Sequence, residues 1–243
     1  MKTVFINGSP KKKLSASDYL IDIQKSFVCG LKVKEKLRNK GDHERILNTL
    51  KDANTVVFCL PLYVDGVPSH VLSFMKEMEL FCLNNKLSLN VYVISNGGFI
   101  EGKQNQALFK VFENFCARSK NNWCGGVGIG GGVMLNVMRI VFYVQVGILL
   151  INLLVSGILY ANWFPVGALL NFTTSALAIF FLNIGVFWYT LKMGIAINKG
   201  EKSGNKYTRI MIPSFIFILI ADIFFVIISF FQGGIFKGWL SKK

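Results

Sequence analysis

Histidine is almost absent from this chain of 243 residues, which carries only His43 and His70. That scarcity leaves no Ser-His-Asp constellation, and no cluster of the ligands that hold a catalytic or structural metal. No metal site is expected. Cysteine is sparse and odd in number: Cys29, Cys59, Cys82, Cys116 and Cys124. No two stand in a CxxC spacing, so neither a disulfide framework nor a zinc site is indicated. All five precede residue 125, four of them in apolar surroundings, and read as free thiols packed like small hydrophobes in a reducing compartment. Acidic residues thin out along the chain. Residues 1–132 hold 11 Asp and Glu against 18 Lys and Arg, whereas residues 133–243 hold only 2 against 9.

What fills the acid-poor half is apolar. Hydrophobic residues make up 52% of the chain, above the usual share of a soluble protein, and the excess lies beyond the glycine cluster Gly125–Gly132. Three long stretches follow, at residues 140–160, 166–191 and 210–231. The first two carry no charge and the third carries only Asp222. As helices each would extend about 30 Å or more, enough to cross a hydrocarbon core. A chain this short could not bury three such helices inside a soluble domain. The reading is two domains: 1–132 soluble, and 133–243 an all-α membrane region of three transmembrane helices. The link between the second and third stretches carries Lys192, Lys199, Lys202, Lys206 and Arg209 and is expected on the cytoplasmic side. No leader precedes the first strand, so the N-terminal domain is expected in the cytoplasm as well, on a multi-pass protein of the cell membrane. The net charge of +14 then fits cations beside anionic lipid. The lysines form no stripe interleaved with aromatics, so nucleic acid is not an expected partner. Asp222 has no second acidic residue in the spans to share a proton path. Asn152, Asn171 and Asn183 suit hydrogen bonds between helices.

The soluble half alternates strands and helices. Residues 3–6 form a short strand, and 17–28 a helix with Ser17 as N-cap. Residues 42–52 read as a helix and 54–60 (NTVVFCL) as a strand buried on both faces. Residues 67–83 are helical, 87–94 a strand, 103–118 a helix and 123–129 a strand. The charged stretch between Cys29 and Asp52 hides any second strand. Such alternation implies an α/β fold with a doubly wound parallel sheet, whose ligands sit beyond the carboxyl ends of the strands.

Three loops occupy that edge. The first is NGSPKKKLSAS. Gly8 allows a tight turn, Ser9, Ser15 and Ser17 offer hydroxyls, and Lys11, Lys12 and Lys13 add charge. At a helix N-terminus this is a cradle for a monophosphate, without the spacing of a Walker A loop or of GxGxxG. The second is PLYVDGVPS, where Pro61, Leu62 and Tyr63 precede Gly66. The third is SNGGFIEGKQNQ, where Asn96, Gly97, Gly98 and Phe99 combine an amide, bare backbone and an aromatic face. A phosphate cradle facing two aromatic-bearing loops suits a phosphorylated planar ring.

INGSPKKKLSAS, NTVVFCLPLYVDGVPSH and NGGFIEGKQN, followed by WCGGVGIGGG, resemble in combination and order the flavodoxin-like, NAD(P)H-dependent FMN reductase superfamily. The resemblance covers about the first 132 residues. It implies a flavodoxin-like fold, with Ser9, Lys11, Ser15 and Ser17 at the FMN phosphate. Pro61, Leu62 and Tyr63 would line one side of the flavin, and Asn96, Gly97, Gly98 and Phe99 the other. It also implies NADH or NADPH as cosubstrate and a possible homodimer. The chain departs from the family by one extra residue in the first loop, by lysine where arginine is usual, and by the membrane tail. No catalytic acid or base is singled out. The expected activity is a membrane-anchored FMN-dependent oxidoreductase passing hydride from NAD(P)H to flavin and on to an acceptor, with a quinone or a membrane protein as candidates. The alternatives are a non-catalytic flavodoxin-like binding or assembly module, and a small electron carrier, against which the basic charge argues.

Overall fold

The computed structural model describes residues 1–11 and 15–231. Lys12 and Lys13 of the basic loop and the tail lysines Lys237, Lys242 and Lys243 lie outside the described residues. Six parallel strands form one sheet in the order β2-β1-β3-β4-β5-β6. They are β1 (Lys2–Asn7), β2 (Leu31–Lys36), β3 (Thr55–Pro61), β4 (Asn90–Asn96), β5 (Asn122–Gly130) and β6 (Lys206–Arg209). The first five follow the flavodoxin-like order of a doubly wound sheet.

The strands alternate faces. Val4, Ile6, Val56, Phe58, Val91 and Val93 join the core beneath α2 (His43–Leu50), α3 (Ser69–Asn84) and α4 (Gln106–Ser119). Phe58 centres this layer, 5.1 Å from the Phe112 ring and 6.4 Å from that of Phe74. The other face carries α1 (Ala16–Ser26) and α7 (Ile184–Lys199), which pack on each other. Gly194 of α7 permits their close approach, since a Cβ there would lie 2.5 Å from the Cβ of Phe27. Asn198 ties the far ends together, accepting from the Cys29 N–H at 2.8 Å and donating to the Phe27 carbonyl at 3.0 Å.

β2 is the strand that the charged stretch concealed. Its sequence LKVKEK belongs to a sheet edge, where charge discourages pairing with other chains. Its one buried charge, Glu35, is held by Arg45 and by the Thr49 hydroxyl at 3.1 Å. A second adjustment concerns α1. The cap is Ser15, whose Oγ accepts the Asp18 N–H at 3.0 Å, and Ser17 lies inside the helix.

The larger difference from the expectation lies beyond Gly132. Residues 1–210 form one compact unit and a second begins at Met211, where the expected division lay at 132. α5 (Gly132–Tyr160) and α6 (Val166–Leu182) are an antiparallel pair inserted between β5 and its crossover helix α7, after which β6 adds to the sheet beside β5. The expected span 166–191 therefore ends early. The chain bends by 63° at Asn183, whose N–H turns to the carbonyls of Ile179 and Phe180. Residues 184–191 stay apolar because Val186 and Thr190 pack inside the α/β unit. The lysine-rich link also returns to this unit, with Lys206 and Arg209 in β6. The third stretch begins later than expected, with α8 (Ser214–Phe231), whose Asp222 is exposed. Among the described residues one helix, Met134–Tyr160, is long and apolar enough to cross a membrane. The bent α6–α7 pair makes a second if taken as one span.

Candidate functional site

In the order β2-β1-β3 the chain turns one way from β1 and the other way from β3, so a crevice opens at their carboxyl ends. The three expected loops meet there, and one side chain that charge and hydroxyl chemistry did not single out organises the first of them. Asn7 ends β1 and is buried. Its Oδ1 accepts the Ser9 N–H at 3.0 Å, and its Nδ2 lies 3.4 Å from Ser15 Oγ and 3.0 Å from Asp18 Oδ1. The signal was present in the sequence, as the amide residue directly before Gly8.

The expected phosphate ligands are brought together at the start of α1. Ser9, Ser15 and Ser17 are all buried. Ser9 Oγ accepts from the Lys11 N–H at 3.4 Å, Ser15 caps α1, and Ser17 Oγ accepts from Asn96 Nδ2 at 3.3 Å. Lys11 is exposed, and its carbonyl accepts from Arg38. Each hydroxyl accepts from a protein donor and retains its own proton to donate. Asp18 introduces the opposing charge, in the first turn of α1, 3.1 Å from Lys34 Nζ. Burial alone would raise the Asp18 carboxyl, but the hydrogen bond and charge of Lys34, with the Asn7 amide, hold it below its ordinary value.

Asn96 links the other two loops to the first. Its amide also reaches the Leu60 carbonyl at 3.3 Å, and its own carbonyl accepts the Leu62 N–H at 2.9 Å. Pro61 closes β3 and Leu62 is buried, whereas Tyr63 is 43% exposed. Tyr63 and Gly66 pair across a two-residue turn in which Val64 and Asp65 both take positive φ, 47° and 55°. A β-branched residue in that region is strained, and Val64 projects fully into solvent. Across the crevice Gly97 donates to Ile129 at 2.9 Å and accepts from Gly132 at 2.8 Å. Gly98 and Phe99 are exposed, Phe99 by 62%. Two aromatic faces thus stand free on the two loops flanking the cradle. α5 starts in the same place, because Gly132 has no Cβ; one built there would lie 2.7 Å from Asn96 Cβ.

His70 contacts the back of the first loop, Nε2 lying 3.1 Å from the Gly8 carbonyl. Burial depresses its pKa, only partly offset by that hydrogen bond, so its ring is neutral near pH 7 and donates to the carbonyl. His43 is buried beneath Phe74, 2.8 Å from Glu77, away from the crevice. Cys59, Cys82, Cys116 and Cys124 are buried with raised pKa values, driven chiefly by burial and reaching about 12 at Cys116. Such thiols are poor nucleophiles.

No family model matches the sequence, and a search of curated proteins finds no significant match. Solved structures do match. A Trp repressor binding protein from Bacillus subtilis is 18% identical, overlapping 53% of this chain and 84% of its own, with a TM-score of 0.45. An NADPH-quinone reductase from P. pentosaceus is 13% identical, with overlaps of 56% and 94% and a TM-score of 0.46. An FMN-dependent NADH-azoreductase from Bacillus anthracis, solved with FMN, is 14% identical, with overlaps of 56% and 92% and a TM-score of 0.37.

Proposed function

We propose that this chain is a membrane-anchored, FMN-dependent oxidoreductase that takes electrons from NADH or NADPH and delivers them to a lipid-soluble acceptor such as a quinone. One observation carries the reading. At the switch point of the sheet, the capped N-terminus of α1 with three serine hydroxyls shares the carboxyl edge of the sheet with two loops that carry glycines and exposed aromatics, Tyr63 and Phe99. An oxygen-rich helix terminus suits a phosphate, and paired flat faces suit an aromatic ring system.

The donor set fits FMN. Ser9, Ser15 and Ser17, with Lys11, would hold the phosphate. Leu62 and Tyr63 would pack on one side of the ring, and on the other Gly98 and Phe99 would offer backbone amides and an apolar cover, with Gly97, whose N–H is held by Ile129, giving room for close approach. FMN supplies the hydride chemistry, so no acid or base from the chain is required. The protein's part is to bind, orient and exclude water. Asn96 positions the site by fixing Ser17, Leu60 and Leu62 relative to one another. The apolar α5–α6 pair would anchor the domain on the cytoplasmic face of the cell membrane, which brings the site to an acceptor dissolved in lipid. Pairing of two chains through the crevice is a further element of the proposal.

The test is an absorption spectrum of the detergent-purified full chain, before and after FMN and then NADH or NADPH. The expected result is a flavin band that bleaches with one of the nicotinamides, followed by turnover on a short-chain quinone. Asp18 favours a second reading, a non-catalytic binding or assembly module, because its carboxylate sits at the helix terminus that the phosphate would need. A chain that binds no flavin at saturating FMN would establish that alternative.

A further inference from the structure

α7 has two faces. Val186, Thr190, Met193, Ala196 and Ile197 are buried against the α/β unit. The outer face carries Ile184, Trp188, Lys192, Ile195 and Lys199, a helical stripe that is apolar and basic with no acidic residue. Trp188 is 53% exposed, and Lys192 Nζ lies 4.7 Å above its ring. Beside this stripe, between α7 and the segment leading into β6, is a cavity of about 170 Å³ with an apolar wall that includes Met193 and Ile195 and a polar lining of Tyr189, Lys192, Glu201, Lys202, Ser203 and Lys206. Three lysines against one glutamate give it a net positive charge.

The path of α5 says what lies over that face. Gly132 abuts Asn96 at the end of β4. By Met138 and Arg139, about 10 Å along the axis, the helix has reached the opposite layer. The Arg139 guanidinium stacks 5.4 Å from the Tyr19 ring of α1, and Met138 Sδ accepts from Asn183 at the head of α7 at 3.2 Å. α5 therefore leaves the domain past the N-terminal ends of α1 and α7, and its exposed apolar length lies beyond them. α6 returns beside it and turns 63° into α7. A hairpin standing upright in a bilayer would leave α7 about 27° from the membrane plane, the posture of an interfacial helix. Aromatics lie at both ends of the hairpin, Tyr143 and Trp188 near the domain and Tyr160, Trp163 and Phe164 at the tip, as membrane interfaces favour.

We infer that the outer face of α7 lies in the headgroup layer of the bilayer that the hairpin enters, and that the cavity of Lys192, Lys202 and Lys206 binds the phosphate of an anionic phospholipid. The inference rests on the membrane reading above and is independent of the flavin reading. The domain would then rest on the membrane by its α1–α7 side, and the crevice at the strand ends would open along the lipid surface.

The experiment uses the full chain in nanodiscs with a Cys29→Ser background, since Cys29 is the exposed cysteine. Single cysteines replace Lys199 on the outer face of α7, Leu80 on the opposite α3–α4 layer and Ile151 in the hairpin, and each carries an environment-sensitive dye. Phospholipids spin-labelled near the headgroup quench the dye at 199 and leave the dye at 80 bright. Deep-labelled lipids quench at 151, which checks the membrane reading separately. The quenching at 199 should be stronger with phosphatidylglycerol than with phosphatidylcholine. Each of Lys192→Gln, Lys202→Gln and Lys206→Gln should cut that preference by about fivefold. Quenching at 151 with none at 199 above that at 80 overturns the docking alone. A preference that none of the three lysine changes reduces overturns the cavity as the lipid's site, and inorganic phosphate that binds the detergent-purified chain and is not displaced by phosphatidylglycerol assigns the cavity to a soluble phosphate.

Discussion

Asn7, Ser15 and Asp18 compete for the same few ångströms at the start of α1. A carboxylate in the first turn stabilises the helix through its dipole and is anchored by Asn7 and Lys34. It also repels any anion that the same terminus would bind. Asp18→Asn should therefore strengthen FMN binding by about two- to fivefold, the scale of one charge near a helix end, as read by fluorescence titration. The same change should lower the melting temperature near neutral pH. The folded Asp18 carboxyl lies below its ordinary 3.8, so its stabilisation is complete above that value and is lost as pH falls through the lower folded one. The melting temperatures of wild type and variant should converge below about pH 3.8. Ser15→Ala should cost about 1 kcal/mol in stability through the lost cap, and should weaken flavin retention beyond that loss. Tyr63→Ala and Phe99→Ala behave differently. Both side chains are exposed, so melting should be unchanged in the absence of flavin while the bound flavin spectrum shifts. A spectrum unmoved by either would place the ring elsewhere.

At the scale of elements, α7 is where sequence and structure part. The strands β1, β3, β4 and β5 are legible because a buried parallel strand is an unbroken apolar run, and the loops after them follow from strand ends. Of the eleven expected site residues, Pro61 and Asn96 end β3 and β4, and the other nine lie on those loops or on the helix start that follows the first of them. β2 is not legible, because an edge strand can be as charged as a loop. α7 is hidden for a different reason. Its inner face is domain core and its outer face is Ile and Trp, so its first turns continue the hydropathy of α6 without a break. Only the amide of Asn183 marks the bend, and one asparagine in an apolar run reads equally as a contact between helices. The packing of α7 can be tested at its tightest point. Gly194→Val would drive a side chain into Phe27, at a cost of about 1–3 kcal/mol. Hydrogen exchange should quicken along α7 and β6, while β1 and β3 stay protected. Equal protection throughout would mean that α7 docks with room to spare.

For the whole molecule, the consequence is that an apolar hairpin interrupts an α/β domain rather than following it. A chain ending at residue 132 leaves β5 as a bare edge and strips α7 from α1 and the sheet, uncovering Phe27 beside Gly194 and the buried Val127 of β5. Such a fragment should aggregate. Removing the insertion instead should be tolerated, because the chain leaves and re-enters the domain at one place: Asn183 Nδ2 and Met138 Sδ are 3.2 Å apart. A chain with residues 141–181 replaced by a short Gly-Ser linker and stopped at residue 210 keeps all six strands, α1 and α7. It should be soluble without detergent, melt cooperatively, and bind FMN as the full chain does. If it also keeps NAD(P)H turnover on a water-soluble quinone but loses turnover on a long-chain quinone in vesicles, the hairpin's contribution is delivery of the acceptor and not the assembly of the site. If it folds yet binds no FMN while the full chain does, residues 141–181 or those after 210 contribute to flavin retention, and the contact of Gly132 with Asn96, which the shortened chain keeps, is not sufficient for it.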